Sequence, residues 1–211
     1  MTLSSVAFKS NRFLLEGIIS IPKHSNAKLP ALVVCHSHPA FGGNMHEPLV
    51  STICQSATNA GIGNLKFNFR PTSSGATKIS SPFTEFQQDL KAAIRLLRQW
   101  PRIDKNRVTV VGYSFGASVV LDGYKACRQS NKFVLISPPP KSLRGSNFSH
   151  DDRPLLIITG EKDLLAPPEK LIPILDIYRS KPTLKVLKGA DFSFIGHENT
   201  IGDTISEYAM N

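Results

Sequence analysis

Short apolar runs recur along this chain, and segments with the helical spacing of apolar residues lie between most of them. The runs span residues 31–35, 65–69, 108–111, 133–136, 155–159 and 184–187. Runs of this length suit parallel strands that are covered on both faces. The helical patterns span residues 48–59, 83–100, 115–127, 168–178 and 198–210. This alternation predicts an α/β fold in which helices cover both faces of a doubly wound, mostly parallel sheet.

Two further segments, 6–9 and 13–21, precede this series. The second alternates loosely in polarity, and together they predict an antiparallel hairpin at the sheet edge. Residues 138–152 are rich in proline, serine and charge, so we expect a surface loop that is too short to fold as a separate lid domain. Because the sequence has no internal repeat and no linker, residues 1–211 are predicted to form a single domain.

The composition is that of a globular chain with a sizeable core, since 41% of the 211 residues are hydrophobic. No apolar run reaches the roughly 18 residues that a membrane span needs, so no membrane partner is expected. The first ten residues contain one basic residue and no apolar stretch, which predicts no secretory signal and, by default, a cytoplasmic location. Cys35, Cys54 and Cys127 form no Cys-x-x-Cys pair and are expected to be buried.

The formal net charge of +9 raises the question of a polyanionic partner. The lysines and arginines are scattered along the chain and form no basic block with interleaved aromatic residues, so no nucleic-acid partner is expected. A modest attraction for anionic substrates stays open. Glu85 and Asp89, four residues apart on one helix face, are expected to be an exposed electrostatic pair.

The clearest chemical signal is an apolar strand that runs into Gly-Tyr-Ser-Phe-Gly at residues 112–116 and then into a helix. This context predicts a nucleophile elbow, with Ser114 on a strained turn. Gly112 and Gly116 let the strand and the helix pass closely, since neither has a side chain. The backbone N–H of Phe115, at the start of the helix, is a candidate oxyanion donor.

Ligands of such sheets bind outside the carboxyl ends of the strands, so functional residues are expected in the loops that follow the strands. After residue 35, a loop with two adjacent glycines offers backbone N–H groups, and His38, Ala40 or Phe41 could supply the second oxyanion donor. After residue 159, Asp163 is expected to orient a catalytic base, although an aspartate there could also simply stabilise the turn.

The histidines near residue 36 are of a type that binds metal ions. His36, His38 and His46 lie close to Glu47, but their spacing is loose and no second-shell carboxylate pattern accompanies them. We therefore expect no metal site and no cofactor.

Taken in order, these motifs resemble the small, lidless α/β-hydrolases of the dienelactone-hydrolase-like group, and the resemblance covers nearly the whole chain. The matching segments are 38–39, 42–45, 67–70, 112–116 and 160–163. The order of Ser114, Asp163 and a late histidine is also that of the α/β-hydrolase triad. The resemblance implies an α/β-hydrolase fold without a separate lid domain.

One departure concerns the base. The group carries its catalytic histidine in a Gly-Ala-Asp-His segment, whereas this chain has Phe192 at that position. The one late histidine is His197, five positions further on, and general-base catalysis requires hydrogen-bond reach.

Three hypotheses follow. In the first, Ser114, Asp163 and a displaced His197 form the triad of an active serine hydrolase. In the second, the base is His38 or His36. In the third, the chain is a catalytically impaired hydrolase that binds a small molecule or a protein partner.

The first hypothesis implies a two-step acyl transfer in which Ser114 attacks a carboxylic ester or a related acyl compound. The expected partner is a small-molecule ester. Without a lid the site should be open, which favours small, soluble esters over long acyl chains. The sequence does not decide which ester is the substrate, or whether the chain is a monomer or a homodimer.

Overall fold

The computed structural model describes residues 1–23, 27–71 and 83–211. Strands are found at β1 (Thr2–Ser10), β2 (Phe13–Ile21), β3 (Leu29–Cys35), β4 (Gly63–Phe67), β5 (Ile103–Tyr113), β6 (Lys132–Ile136), β7 (Leu155–Gly160) and β8 (Thr183–Leu187). In the described part of the chain they form one sheet in the order β1-β2-β4-β3-β5-β6-β7-β8. Strands β1 and β2 form an antiparallel hairpin, and β2 pairs antiparallel with β4. The remaining neighbours in the sheet, β4-β3-β5-β6-β7-β8, are all parallel.

Helices cover both faces of this sheet. They are α1 (Pro48–Asn59), α2 (Phe83–Gln99), α3 (Phe115–Asp122), α4 (Pro140–Arg144), α5 (Pro168–Leu175) and α6 (Glu198–Met210). Apolar residues of α2, α3, α4 and α5 pack on one face, and those of α1 and α6 pack on the other. Strand β5 serves both cores, because Val110 faces the first and Val111 the second. The predicted fold class is thereby confirmed.

The predicted bounds agree with the structure for β2, α1 and α6 and differ elsewhere. Helix α3 ends at Asp122 rather than near residue 127, and Gly123 follows it. Strand β4 begins and ends two residues earlier than expected. The segment 138–152 is not a plain loop, since it holds α4 and a 3₁₀ turn at Asn147–His150.

The three cysteines lie inside the molecule as expected. Cys35, Cys54 and Cys127 are free and buried. Burial raises the pKa of the Cys54 and Cys127 thiols to about 12, so both are protonated and unreactive at neutral pH. Within the described residues, none of the helices combines the length and the hydropathy that crossing a membrane requires.

The expectation that Glu85 and Asp89 form an exposed pair was wrong. Asp89 is fully buried, and its carboxylate accepts hydrogen bonds from Arg70 Nε at 2.9 Å and Nη2 at 2.6 Å. Arg70 Nη1 lies 3.0 Å from Glu85, and the guanidinium also lies 4.5 Å from the centre of the Phe13 ring. The sequence spacing showed that Glu85 and Asp89 share one helix face. It did not show that Arg70 is buried against this face and binds both carboxylates. Arg70 therefore ties the end of β4 to α2 and to the β1–β2 hairpin.

We predict that Asp89→Ala lowers the free energy of unfolding by about 3–5 kcal/mol, because it leaves the Arg70 charge buried without its main partner. Urea unfolding at neutral pH measures this change. The matched control is Asp176→Ala, which removes an ion pair with Lys181 whose side chains are 50% and 76% exposed. That variant should change stability by less than about 1 kcal/mol. Equal losses in the two variants would contradict the assigned role of Asp89.

Candidate active site

Ser114 lies on a strained turn between β5 and α3. Its backbone has φ +52° and ψ −103°, outside the regions that residues with side chains usually adopt. The Ser114 N–H donates to the Ile136 carbonyl at 2.8 Å, which fixes the turn against the neighbouring strand β6. The serine is partly exposed, and no hydrogen bond holds its hydroxyl among the described residues. This geometry is that of a nucleophile elbow.

The two flanking glycines make this turn possible. A Cβ at Gly112 would lie 2.7 Å from the backbone N of Ala117, and one at Gly116 would lie 2.5 Å from the carbonyl oxygen of Cys35. Both distances are shorter than carbon atoms tolerate. Glycine is therefore required at both positions for α3 to start directly above β5 and against the end of β3.

The loop after β3 lies beside the elbow. The His38 ring contacts the Phe115 ring, with centroids 4.4 Å apart. His38 Nδ1 accepts the Ala40 N–H at 3.0 Å, and the His38 carbonyl accepts the Phe41 N–H at 3.0 Å. The N–H groups of Ala40 and Phe41 are thus already engaged, whereas that of His38 makes no hydrogen bond within the part of the chain that the structure describes. Of the loop candidates for the second oxyanion donor, His38 is the one that this geometry favours.

Neither histidine of this loop is arranged as a base for Ser114. His36 is 1% exposed, and its Nδ1 lies 2.6 Å from the Ser37 carbonyl while its Nε2 accepts the Phe69 N–H at 3.1 Å. Burial lowers the pKa of His36 to about 4, so the ring is neutral and both nitrogens are occupied. Burial also lowers the pKa of His38, and its neutral ring carries the proton on Nε2 because Nδ1 accepts from Ala40. In that tautomer Nε2 presents an N–H and the lone pair on Nδ1 is taken up by the Ala40 N–H.

Asp163 is buried and held by its own loop and by strand β6. Its Oδ1 accepts the N–H groups of Leu165 and Ala166, each at 2.9 Å. Its Oδ2 accepts the Ser137 hydroxyl at 2.6 Å, while Thr159 Oγ1 lies 3.4 Å away and donates preferentially to the Ala166 carbonyl at 2.6 Å. A carboxylate oxygen has two lone pairs, so Oδ2 keeps room for a further donor.

Phe192 lies between the elbow and the Asp163 loop. Its carbonyl accepts the Tyr113 hydroxyl at 2.9 Å. Just before it, the Ala190 carbonyl accepts the Lys162 N–H at 2.8 Å, so the backbone passes directly over the end of β7. The Phe192 side chain is 48% exposed. Phe192 thus occupies the sequence position at which the resemblance implies the catalytic histidine.

His197 lies beyond a tight turn that starts at Phe192. Phe194 has φ +56°, is fully buried and contacts the Tyr113 ring, with centroids 6.2 Å apart. Its carbonyl accepts the His197 N–H at 2.9 Å, and His197 is the N-cap of α6. Within the described residues, no hydrogen bond joins the half-buried imidazole to Ser114, to Asp163 or to any other group. The structure thus brings Ser114, Phe115 and His38 together but does not link His197 to them.

Sequence reasoning missed two residues that support this edge. Ser137 follows β6 with φ +47° and gives Asp163 its shortest hydrogen bond. Tyr113 anchors the Phe192 loop, and burial followed by the carboxylates of Glu47, Asp163 and Asp191 raises its pKa to about 12, so its hydroxyl stays a donor. Tyr113 lies inside the elbow motif and Ser137 lies at a strand end, but nothing in the sequence indicates that their hydroxyls donate to the Phe192 carbonyl and to Asp163.

Exposed apolar side chains stand on three loops at the same edge of the sheet. They are Phe41 after β3, Leu164 and Leu165 after β7, and Phe192 and Ile195 after β8. Phe41 is 89% exposed and Leu164 is 85% exposed. Large apolar groups at the carboxyl edge suit a ligand with an apolar portion. Within the described residues, no segment folds into a separate lid over this edge.

A family model described as an alpha/beta hydrolase domain matches residues 30–209, which include the elbow, Asp163 and His197. The chain belongs to this family. The superfamily that the motifs indicated is thereby confirmed. An uncharacterized protein of Rickettsia prowazekii (strain Madrid E) is 25% identical over 197 residues, which cover 89% of this chain and 82% of that protein.

Solved structures share the hydrolase fold over almost their full length. An alpha-beta serine hydrolase homologue from Coxiella burnetii is 23% identical, with a TM-score of 0.81 over 99% of this chain and 98% of its own. A serine hydrolase without a lid from Xanthomonas campestris is 23% identical, with a TM-score of 0.79 over 100% and 94%. A dienelactone hydrolase from Anabaena variabilis is 17% identical, with a TM-score of 0.81 over 99% and 97%. At these identities the likeness shows the fold.

We predict a pH dependence of stability that originates at His36. The pKa of His36 is about 4 in the folded chain against 6.5 for an unperturbed histidine, so the unfolded state binds more protons between these values. Its contribution is complete above pH 6.5 and is lost as the pH falls towards 4. Wild type should therefore lose about 2 kcal/mol more than His36→Gln between pH 7 and pH 5 in urea unfolding. The exposed His150→Gln control should keep the wild-type dependence, and identical slopes in all three proteins would refute the role of His36.

Proposed function

We propose that this hydrolase-family protein is a serine hydrolase that cleaves a carboxylic ester or related acyl compound through an acyl-Ser114 intermediate. The observation that carries the proposal is the backbone of Ser114, with φ +52° and ψ −103°. Strain of this kind costs on the order of 1–3 kcal/mol and persists where the surrounding structure enforces it, typically at functional sites. Here Gly112, Gly116 and the hydrogen bond to Ile136 enforce it.

Backbone donors beside Ser114 support an acyl-transfer reaction. The Phe115 N–H at the start of α3 and the N–H of His38 are the proposed oxyanion hole. Such donors stabilise the negative charge that develops on the carbonyl oxygen when the serine attacks, and one donor is typically worth about 10²–10³ in kcat. The contact between the His38 and Phe115 rings, with centroids 4.4 Å apart, holds the two backbone segments next to each other.

We assign the base to His197 and its orienting acid to Asp163. Among His36, His38 and His197, His197 is the one whose ring nitrogens make no hydrogen bond within the described chain. Asp163 keeps acceptor capacity on Oδ2 beside the Ser137 hydroxyl. In the reaction, His197 takes the Ser114 proton, returns it to the leaving alcohol, and then activates the water that releases the acyl group.

The exposed apolar side chains at this edge define the substrate class that we propose. Phe41, Leu164 and Ile195, each more than 80% exposed, offer contacts to an apolar acyl or alcohol group. A small ester with such a group fits an open site of this kind, whereas a fully polar ester would gain nothing from these contacts.

The nucleophile is tested by covalent labelling. We expect a fluorophosphonate probe to modify wild-type protein at Ser114 and to leave Ser114→Ala unlabelled, with the modified peptide identified by mass spectrometry. The matched control is Ser118→Ala, which removes a buried serine one helical turn further along α3. This control should label like wild type. Folded wild-type protein that resists the probe would favour the impaired, ligand-binding hydrolase instead.

The base is tested with a pair of variants in the hydrolysis of p-nitrophenyl butyrate. If His197 is the base, His197→Ala should lower kcat/KM by about 10²–10⁴, and Phe192→His should add nothing to the wild-type rate. The exposed His150→Ala serves as the control that keeps the wild-type rate. The opposite result, an unaffected His197→Ala together with a faster Phe192→His, would show that the wild-type chain lacks a base at the position that Phe192 occupies.

A further inference from the structure

Three clefts meet at Arg95 on the outer surface of α2, away from the elbow. The first, of about 420 Å³, lies between α2 and the end of β1 and is lined by Lys9, Lys91 and Arg95. The second, of about 450 Å³, lies between α2 and the segment after α3, where Lys125 and Arg128 join Lys91 and Arg95. The clefts share two cations and form a continuous surface.

The third cleft, of about 280 Å³, continues this surface towards the start of β5 and is lined by Arg95, Arg98 and Lys105. Together the clefts collect seven basic residues, which we call the basic face: Lys9, Lys91, Arg95, Arg98, Lys105, Lys125 and Arg128. No carboxylate lines any of the three clefts within the part of the chain that the structure describes.

The basic face arises from helical spacing and from tertiary packing. Lys91, Arg95 and Arg98 follow each other at four and three residues, which places them on one side of α2. The opposite side of the helix is in the core, where Leu90 and Ile94 are buried. The other four cations come from three other segments, at residues 9, 105 and 125–128. The charge therefore looks scattered in the sequence, and for that reason the sequence predicted no nucleic-acid partner.

The cations of this face are not neutralised by the protein. No salt bridge within the described residues involves any of the seven. Arg98 Nη1 instead donates to the carbonyls of Lys105 and Gln129, each at 2.6 Å, which holds its guanidinium in place. The carboxylate of Asp104, beside Lys105 in sequence, accepts the Asn106 N–H at 2.9 Å. Seven neighbouring positive charges that have no carboxylate partner among the described residues create a field that attracts an anion.

We propose that the basic face binds the phosphodiester backbone of a nucleic acid without reading its bases. An extended polyanion can neutralise cations in all three clefts at once, whereas a single small anion would meet those of one cleft. The aromatic residue that lines the clefts, Phe8, is buried and cannot stack on a base. Phosphate contacts from lysine and arginine are sufficient for sequence-independent binding.

The lining distinguishes this partner from two other anionic ones. A membrane-binding surface carries exposed apolar residues that enter the lipid, but Phe8 and Ile94 are buried and Leu96 is half-buried. A protein partner would bury an apolar core at the centre of the interface, but no large apolar side chain that lines these three clefts is exposed. The proposal does not depend on the hydrolase activity. The three clefts lie beside α2, and no residue of the elbow lines them.

Fluorescence anisotropy with labelled 20-nucleotide single strands and a duplex of mixed sequence tests the proposal over a range of salt concentrations. We expect wild type to bind each of them with a steep salt dependence. The triple variant Lys91→Gln/Arg95→Gln/Lys125→Gln should bind at least about tenfold more weakly at low salt. Its slope of log K against log salt should be smaller by about 1 for each cation removed.

The matched control removes the same charge elsewhere, with Lys141→Gln, Lys170→Gln and Lys188→Gln combined. All three lysines are exposed and lie outside the clefts. This control should keep the wild-type slope, and circular dichroism should show that both triple variants are folded. Equal weakening in the two variants would overturn the proposal in favour of net charge alone. Failure of wild type to bind at low salt would overturn it as well, as would binding only to vesicles that contain phosphatidylglycerol.

Discussion

The close approach of bare backbone at Gly116 to the end of β3 is the constraint on which the candidate active site depends. The carbonyl oxygen of Cys35 occupies the space that any side chain at this position would need. Helix α3 can therefore begin immediately after the elbow, and the loop that leaves β3 is forced to run alongside it. This contact brings the elbow and the loop after β3 together, and with them the candidate nucleophile and the candidate oxyanion donors. The contact between the His38 and Phe115 rings then holds the loop after β3 against the start of α3.

The acidic side of the site is organised in a different way. Asp163 is held by two backbone N–H groups and by the Ser137 hydroxyl, so its position does not require a histidine partner. A buried carboxylate that is satisfied in this way is stable in a protein of this family whether or not a base stands beside it. The presence of the aspartate is consequently weaker support for catalysis than the strained serine, which gains no comparable compensation from its hydroxyl.

Much of the fold could be predicted from the sequence, because continuous apolar runs and helical spacing each reflect burial directly. The elbow was recognisable for the same reason, since its glycines and serine are adjacent in sequence. Contacts between distant segments were less accessible. The burial of Asp89 depends on Arg70, the occupied nitrogens of His36 depend on the Phe69 backbone, and the bond from Ser137 to Asp163 joins two strand ends. Such pairings are set by tertiary packing, which no local pattern encodes.

The segment that carries Phe192 is fixed by its neighbours and not by its own side chain. The Ala190 carbonyl, the Tyr113 hydroxyl and the buried ring of Phe194 hold the backbone on either side of it. The backbone at position 192 therefore keeps its course whether it carries a histidine or a phenylalanine. Overall similarity of fold to a hydrolase is accordingly no guide to which residue supplies the base, since the course of this loop does not depend on that side chain.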